Sequence, residues 1–469
     1  MSMQERIEEY FNAPARRAEL VELTSRLVKI KSVRGDASPE TPYGPGPAAA
    51  LAEALRICQE QGFTTHNYEN YVGTADLNGH ETCLHILGHL DVVGEGTGWT
   101  VTEPYEPKEI DGMLYGRGAC DDKGPVVCAL LAMKAVRDLG FPLKSNVRLI
   151  MGTDEESGSS DLEYYYAREP YAPYAFTPDA NFPVINTEKG RYSPQFPRRW
   201  AEETALPRVR EFHGGFRVNV LPGEAQCVIA GLSAGQVEPL CTQAAAETGV
   251  TFTLEESGED LRILAHGKGA HASLPEDGNN GITALLHLLA LLPLASCEST
   301  GALRALHALF PHGDSAGKAL GIAQSDEVSG PLTVCFSLLD MDGSGVSGQF
   351  DCRASLCANE ENCKAVAEAA LAKAGFTAEG SMEPGHHTPA EGPFIQTLLR
   401  SYETYSGRKG ECLAMGGGTY VHHIPGGVAF GCDFPGFNGN MHGANEFMCL
   451  DDMLTACKIF TQAIAELCG

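Results

Sequence analysis

Five residues of the 469-residue chain have the types and spacing to hold divalent cations: His89, Asp121, Glu156, Asp179 and His442. Imidazole nitrogen and carboxylate oxygen together suit zinc, manganese or cobalt. Two such ions about 3.5–4 Å apart can share one carboxylate, polarise a carbonyl and activate a water for hydrolysis. Asp121 stands in Gly116-Arg117-Gly118-Ala119-Cys120-Asp121-Asp122-Lys123-Gly124, just before an apolar run at 125–135. A carboxylate on a glycine-rich loop at a helix N-terminus is well placed for a cation. The same composition also describes a solvated turn, and only the other four residues tip the balance.

Asp91 lies two residues after His89, so in an extended segment both share a face. It is positioned to orient the His89 ring through its second nitrogen. Glu155 neighbours Glu156 but has another direction, so it is a candidate to take a proton from water activated at the site. Alternatives stand beside each assignment. A histidine at a strand end is often structural, paired glutamates often lie in solvent, and His422-His423 rivals His442 as the late histidine.

The elements that must position these residues read as an α/β domain. Residues 3–30 have helical spacing (Leu20, Leu23, Leu27, Ile30), and a Pro/Gly-rich stretch at 38–47 precedes a second helix over 48–61. The alternation at 82–87 predicts a strand running into Gly88-His89-Leu90-Asp91-Val92-Val93. A second strand at 146–151 runs into Gly152-Thr153-Asp154-Glu155-Glu156-Ser157-Gly158, with a helix over 160–169 and a strand at 182–185 near Asp179. Helices alternating with strands, and polar residues gathered at strand ends, predict a mostly parallel sheet flanked by helices. From Glu188 the texture changes, with Pro and Arg clustered at 194–210. An α+β domain inserted at 188–384 is expected, splitting the catalytic domain into 1–187 and 385–469. The latter piece carries a strand at 428–434 and an amphipathic helix at 450–467.

Composition narrows the class. The net charge of −27 argues against nucleic acid and anionic membranes as partners. Sixteen cysteines are scattered without Cys-x-x-Cys spacing, which suits reduced thiols in a cytoplasm. Met1-Ser2-Met3-Gln4-Glu5-Arg6 opens no secretory signal pattern. The most apolar run, 282–295, is too short to span a bilayer and predicts a buried helix.

The three motifs around His89, Asp121 and Glu155-Glu156, in this order and spacing, resemble the di-metal peptidase family of aminoacylase, carboxypeptidase G and carnosinase. The similarity continues through Thr177-Pro178-Asp179, Phe216-Arg217-Val218-Asn219-Val220-Leu221-Pro222, Gly269-Ala270-His271-Ala272-Ser273 and Met441-His442-Gly443, and so covers nearly the whole chain. The resemblance implies that Asp121 bridges two ions, with a cis peptide to Asp122. It gives His89 and Asp179 to one ion, and Glu156 and His442 to the other. Zinc is the expected metal, with manganese or cobalt as alternatives.

By the same resemblance Glu155 is general base and then acid, and the insert is a lid supplying substrate contacts. His271 would stabilise the oxyanion, Asn219 would join it, and Arg353 would bind a substrate's terminal carboxylate. On pattern alone a mid-strand Arg is more often a structural ion pair. Gly416-Gly417-Gly418-Thr419 would offer backbone N–H groups to that carboxylate, or form a flexible turn. Relatives with enlarged lids are complete within one chain, so a monomer is expected. The implied activity is hydrolysis of unmodified dipeptides, including β-alanyl or Xaa-His substrates. N-acyl amino acid deacylation is the enzymatic alternative, and an inactive peptide- or metal-binding protein the non-enzymatic one. Val421-His422-His423 after the glycine run departs from the family pattern and leaves the substrate preference open.

Overall fold

The computed structural model describes residues 1–469, which fall into two compact units. The first comprises residues 1–187, 387–413 and 418–469; the second comprises 188–386 together with 414–417. Each unit has its own hydrophobic core.

The first unit is built on a mixed sheet. Its centre is parallel: Asn146–Gly152, Thr82–His89, Tyr174–Thr177 and Val428–Ala429 lie side by side in that order. The flanks are antiparallel, through Val72–Asp76 and Thr64–Tyr68 on one side and Val184–Glu188 on the other. Central strands buried on both faces read as near-continuous apolar runs, and Leu84, Ile86 and Leu87 are fully buried. The reading of residues 3–30 as helical resolves into two helices, Met3–Asn12 and Pro14–Val28. Proline is favoured in the first turn of a helix and so starts the second one. The segment 428–434 forms two short strand pieces, Val428–Ala429 and Cys432–Asp433, on either side of Gly431.

One helix organises this core. Lys123–Asp138 is apolar on nearly every face and enclosed as far as Val136 apart from partly buried Lys134, with Val126, Val127, Leu130, Leu131, Met133 and Val136 among its buried residues. It packs against Pro14–Val28 and Leu450–Cys468. Each such side chain contributes roughly 1.5–3 kcal/mol through burial, so the N-terminus of this helix is a fixed platform. Two glycines permit its approach to the neighbouring segments. A Cβ on Gly124 would lie 2.2 Å from the Ala119 carbonyl oxygen, and one on Gly88 would meet Asp122 Oδ2 and Val126 Cγ2 at 2.5 Å.

The second unit is α+β. An antiparallel sheet runs in the order Thr251–Ser257, Asp260–His266, Glu224–Ala230, Arg208–Gly214, Thr333–Asp342, Gly345–Ala354 and Gly190–Tyr192. The helix Gly281–Leu291 packs on this sheet, and Ala234–Thr248 and Glu298–Leu309 pack against that helix.

Candidate active site

Strand ends and loops of the first unit bring His89, Asp121, Glu156, Asp179 and His442 together. His89 ends its strand and is wholly buried. Its Nε2 lies 2.9 Å from Asp121 Oδ1 and 3.4 Å from Asp179 Oδ2. The other oxygen of Asp121, Oδ2, lies 2.9 Å from His442 Nε2, which is 3.1 Å from Glu156 Oε1. The carboxylate of Asp121 therefore belongs to two groups, His89–Asp121–Asp179 and Asp121–Glu156–His442, and each could hold a metal ion. The peptide from Asp121 to Asp122 is cis.

The donor set fits divalent cations. The His89 Nδ1 lies 3.0 Å from the Asp91 carbonyl oxygen, which can only accept, so Nδ1 carries the ring proton. With a cation present Nε2 would offer it a lone pair, and without one this buried atom faces carboxylate oxygens yet makes no hydrogen bond. Ligand atoms each about 2.0–2.2 Å from one ion are separated by about the distances seen between these side chains. The electrostatics carry the same demand for positive charge. Burial pulls the His442 ring down, yet Asp121 and Glu156 push it up to about 10. Burial opposes ionisation of Asp121, yet the His442 and His89 rings hold its carboxyl well below the usual range.

The flanking groups fix the orientation of these side chains. The Glu155 N–H donates to Asp91 Oδ1 at 3.2 Å and the Glu156 N–H to Asp91 Oδ2 at 3.1 Å. Asp91 thus anchors both glutamates and faces the His89 ring (Nδ1 to Oδ1, 3.5 Å). Burial holds the Glu155 carboxyl well above its ordinary value; the carboxylates of Asp179, Glu156 and Asp121 add to this and His89 opposes it. A carboxyl with raised proton affinity suits proton transfer.

Sequence reasoning assigned no role to four residues that hold this loop system. Glu446 Oε1 accepts the backbone N–H groups of Cys120 (3.0 Å) and Asp121 (3.2 Å), and its Oε2 accepts Arg117 Nη1 at 2.6 Å. Arg117 also donates to the Gly443 carbonyl, so the pair ties the Asp121 loop to the His442 loop. Asp161 Oδ2 accepts the N–H groups of Thr153 and Asp154 and the hydroxyl of Tyr420, bracing the turn that presents Glu155 and Glu156. The one local signal was that Arg117 sits in the glycine-rich motif of Asp121 and Glu446 lies just after the Met441-His442-Gly443 motif.

The remaining expected residues lie as follows. His422 and His423 sit on the turn Tyr420–His423 and enter neither ligand group. In the second unit His271 pairs with Val220, and the Ala272 N–H donates to the Asn219 carbonyl. The Ser273 N–H donates to His271 Nδ1, which assigns the ring proton to Nε2. Arg353 forks onto its neighbour Asp351 (2.5 and 3.0 Å) and donates to the Gly416 carbonyl at 2.6 Å. Gly417 belongs to the second unit, while Gly418 and Thr419 belong to the first.

Comparison with known proteins gives the family. Residues 85–466 match the model of peptidase family M20/M25/M40. The chain is 33% identical over 470 residues to a β-Ala-Xaa dipeptidase of Lactobacillus delbrueckii subsp. lactis, covering 97% of each. It is also 33% identical over 472 residues to the putative dipeptidase YtjP of Bacillus subtilis, covering 96% of this chain and 98% of the relative. In fold it is similar to human carnosine dipeptidase 1, with a TM-score of 0.59 at 18% identity over 100% and 99% of the two chains. The chain belongs to peptidase family M20/M25/M40.

Proposed function

We propose that this protein is a metal-dependent dipeptidase acting on unmodified dipeptides, β-alanyl and Xaa-His substrates among them. The observation that carries the reading is the Asp121 carboxylate, with one oxygen in each of two ligand groups. The dipeptidase names borne by the relatives, at near-complete coverage, support the substrate class.

In this reading His89, Asp121 and Asp179 hold one ion and Asp121, Glu156 and His442 the other, with zinc as the preferred metal. When bound, the ions supply Lewis acidity, lowering the pKa of water and polarising the scissile carbonyl. The chain's own residues do the rest. Glu155 takes the proton of the attacking water and hands it to the leaving amine. Asp91 keeps the His89 ring and the Glu155 backbone in register. His271 donates from Nε2 to the developing oxyanion, and Asn219 assists it. Arg353, with two of its five N–H donors uncommitted, binds the terminal carboxylate of the substrate and so sets its length. Backbone N–H groups at Gly417, Gly418 and Thr419 receive the same carboxylate. The protein works as a monomer on a cytoplasmic pool of dipeptides, a setting that suits its acidity and sixteen free thiols.

The test is hydrolysis of a panel of dipeptides, their N-acetyl forms and tripeptides. Chelator-stripped protein is refilled separately with zinc, manganese or cobalt. Metal-dependent cleavage confined to free dipeptides is expected. Cleavage of N-acetyl compounds in preference would reassign the protein as a deacylase, and no turnover with any metal would leave a binding protein.

A further inference from the structure

Most of the sixteen free cysteines are buried, but Cys83 differs from them in two respects. It is half-exposed on the strand Thr82–His89, and its Sγ lies 3.3 Å from that of Cys468, at the end of the helix Leu450–Cys468. The Cys468 carbonyl accepts N–H groups from Lys144 and Ser145 at 2.7 and 3.1 Å. Cys83 sits at an irregularity between Thr82 and Leu84, and the strand is paired on both sides from Leu84 onward, so its sulfur has local freedom to close on a fixed partner. The neighbouring Cys468 thiol holds the Cys83 thiol down to about 7, with the Ser145 hydroxyl helping and burial opposing. Cys83 and burial push Cys468 up. A reachable thiol with thiolate character beside a second sulfur is the arrangement that favours selective oxidation. Elsewhere the combination fails. Cys352 and Cys363 neighbour each other but are both buried, and exposed Cys357 has a serine hydroxyl at 3.3 Å rather than a thiol.

We propose that Cys83 and Cys468 form a peroxide-responsive pair that closes to a disulfide, with Cys83 as the attacking and Cys468 as the resolving residue. The Cys83 thiolate attacks one peroxide oxygen, the O–O bond breaks, and the departing oxygen leaves protonated. Cys83 is then a sulfenic acid. The Cys468 sulfur attacks the Cys83 sulfur, the S–O bond breaks, and hydroxide leaves as water with the Cys468 proton. In sum two thiols lose two electrons and two protons, and one hydrogen peroxide becomes two waters. The sulfurs close a remaining gap of roughly 1.3 Å to reach the bonded distance of about 2.05 Å. The bond staples the strand that ends at His89 to the last helix of the first unit.

The experiment treats the metal-loaded protein with hydrogen peroxide, alkylates the remaining thiols and maps peptides without reduction. A Cys83–Cys468 linked peptide, lighter by two hydrogens and released by dithiothreitol, is expected. In Cys468→Ser the resolving step is lost, so dimedone traps a sulfenic acid at Cys83. In Cys83→Ser, Cys468 stays alkylatable. The proposal is overturned if both thiols remain alkylatable after peroxide has consumed Cys357. It is equally overturned if Cys468 is oxidised at an undiminished rate in Cys83→Ser.

Discussion

Replacing Glu446 with Gln perturbs the site without replacing a candidate ligand. The side chain is fully buried and its two oxygens accept three donors. An amide keeps its shape but presents N–H₂ on one side. If the amide oxygen keeps the Cys120 and Asp121 N–H groups, the amide nitrogen faces Arg117 donor to donor. Breaking a buried ion pair by removing one charge costs about 3–5 kcal/mol. Arg117 retains carbonyl acceptors at Gly94, Glu95 and Gly443, so the low end, about 3 kcal/mol, applies. For a unit of this size that is a fall in melting temperature of roughly 5–10 °C. Because the same carboxylate holds the Asp121 backbone, metal affinity should fall about 10–100-fold, the range for residues that orient ligands. Burial and the Asp121 charge push the Glu446 carboxyl up to about 7, with Arg117 opposing, so the assays belong near pH 8, where it is ionised. Calorimetry of the apo protein and competition against a calibrated zinc chelator read the two effects. A Glu446→Gln protein with unchanged melting and unchanged metal affinity would mean that the carboxyl is neutral and the ion-pair reasoning is wrong.

Three further outcomes follow from the geometry. Glu155→Gln should lower kcat by about 10²–10⁴-fold while elemental analysis still finds two ions per chain; near-normal turnover would remove the proton-transfer role. Gly88→Ala places a methyl 2.5 Å from Asp122 Oδ2 and Val126 Cγ2, and should destabilise the fold by about 1–3 kcal/mol, seen as a lower urea midpoint. Burial, with Arg148, holds the His85 ring down to about 4, so between pH 6.5 and 4 the unfolded chain binds a proton that the folded one does not. Stability should therefore fall as pH falls through that window, by up to about 3 kcal/mol. His85→Gln should flatten this slope, and an unchanged pH dependence of unfolding would contradict it.

The candidate ligands were legible because each sits in a short segment whose chemistry is local: a strand end, a glycine loop, an Asp-Glu-Glu turn. Glu446 and Arg117 were visible as letters but not as partners, since 329 residues separate them and only the folded chain sets their register. Asp161 and Tyr420, 259 residues apart, escaped for the same reason. Pro14 was absorbed into a single helix because a proline in the first turn disturbs no helical periodicity. The antiparallel flanks of the first sheet were missed because strand direction depends on connections, whereas burial pattern does not. The membership of 414–417 in the second unit has no composition signal at all.

The division of the first unit along the chain bears on how the protein is made. On a ribosome, His89, Asp121, Glu156 and Asp179 emerge first, then the whole inserted segment, and only later the strand Val428–Ala429, His442 and the helix Leu450–Cys468. The inserted unit has a core of its own and needs nothing downstream of 417 to bury it. The first unit does: its sheet lacks an inner strand and its central helix lacks a packing partner until the final segment arrives. The second ligand group is completed by a residue 286 positions after Glu156. A nascent or prematurely terminated chain therefore cannot assemble both candidate ligand groups until synthesis has passed that point.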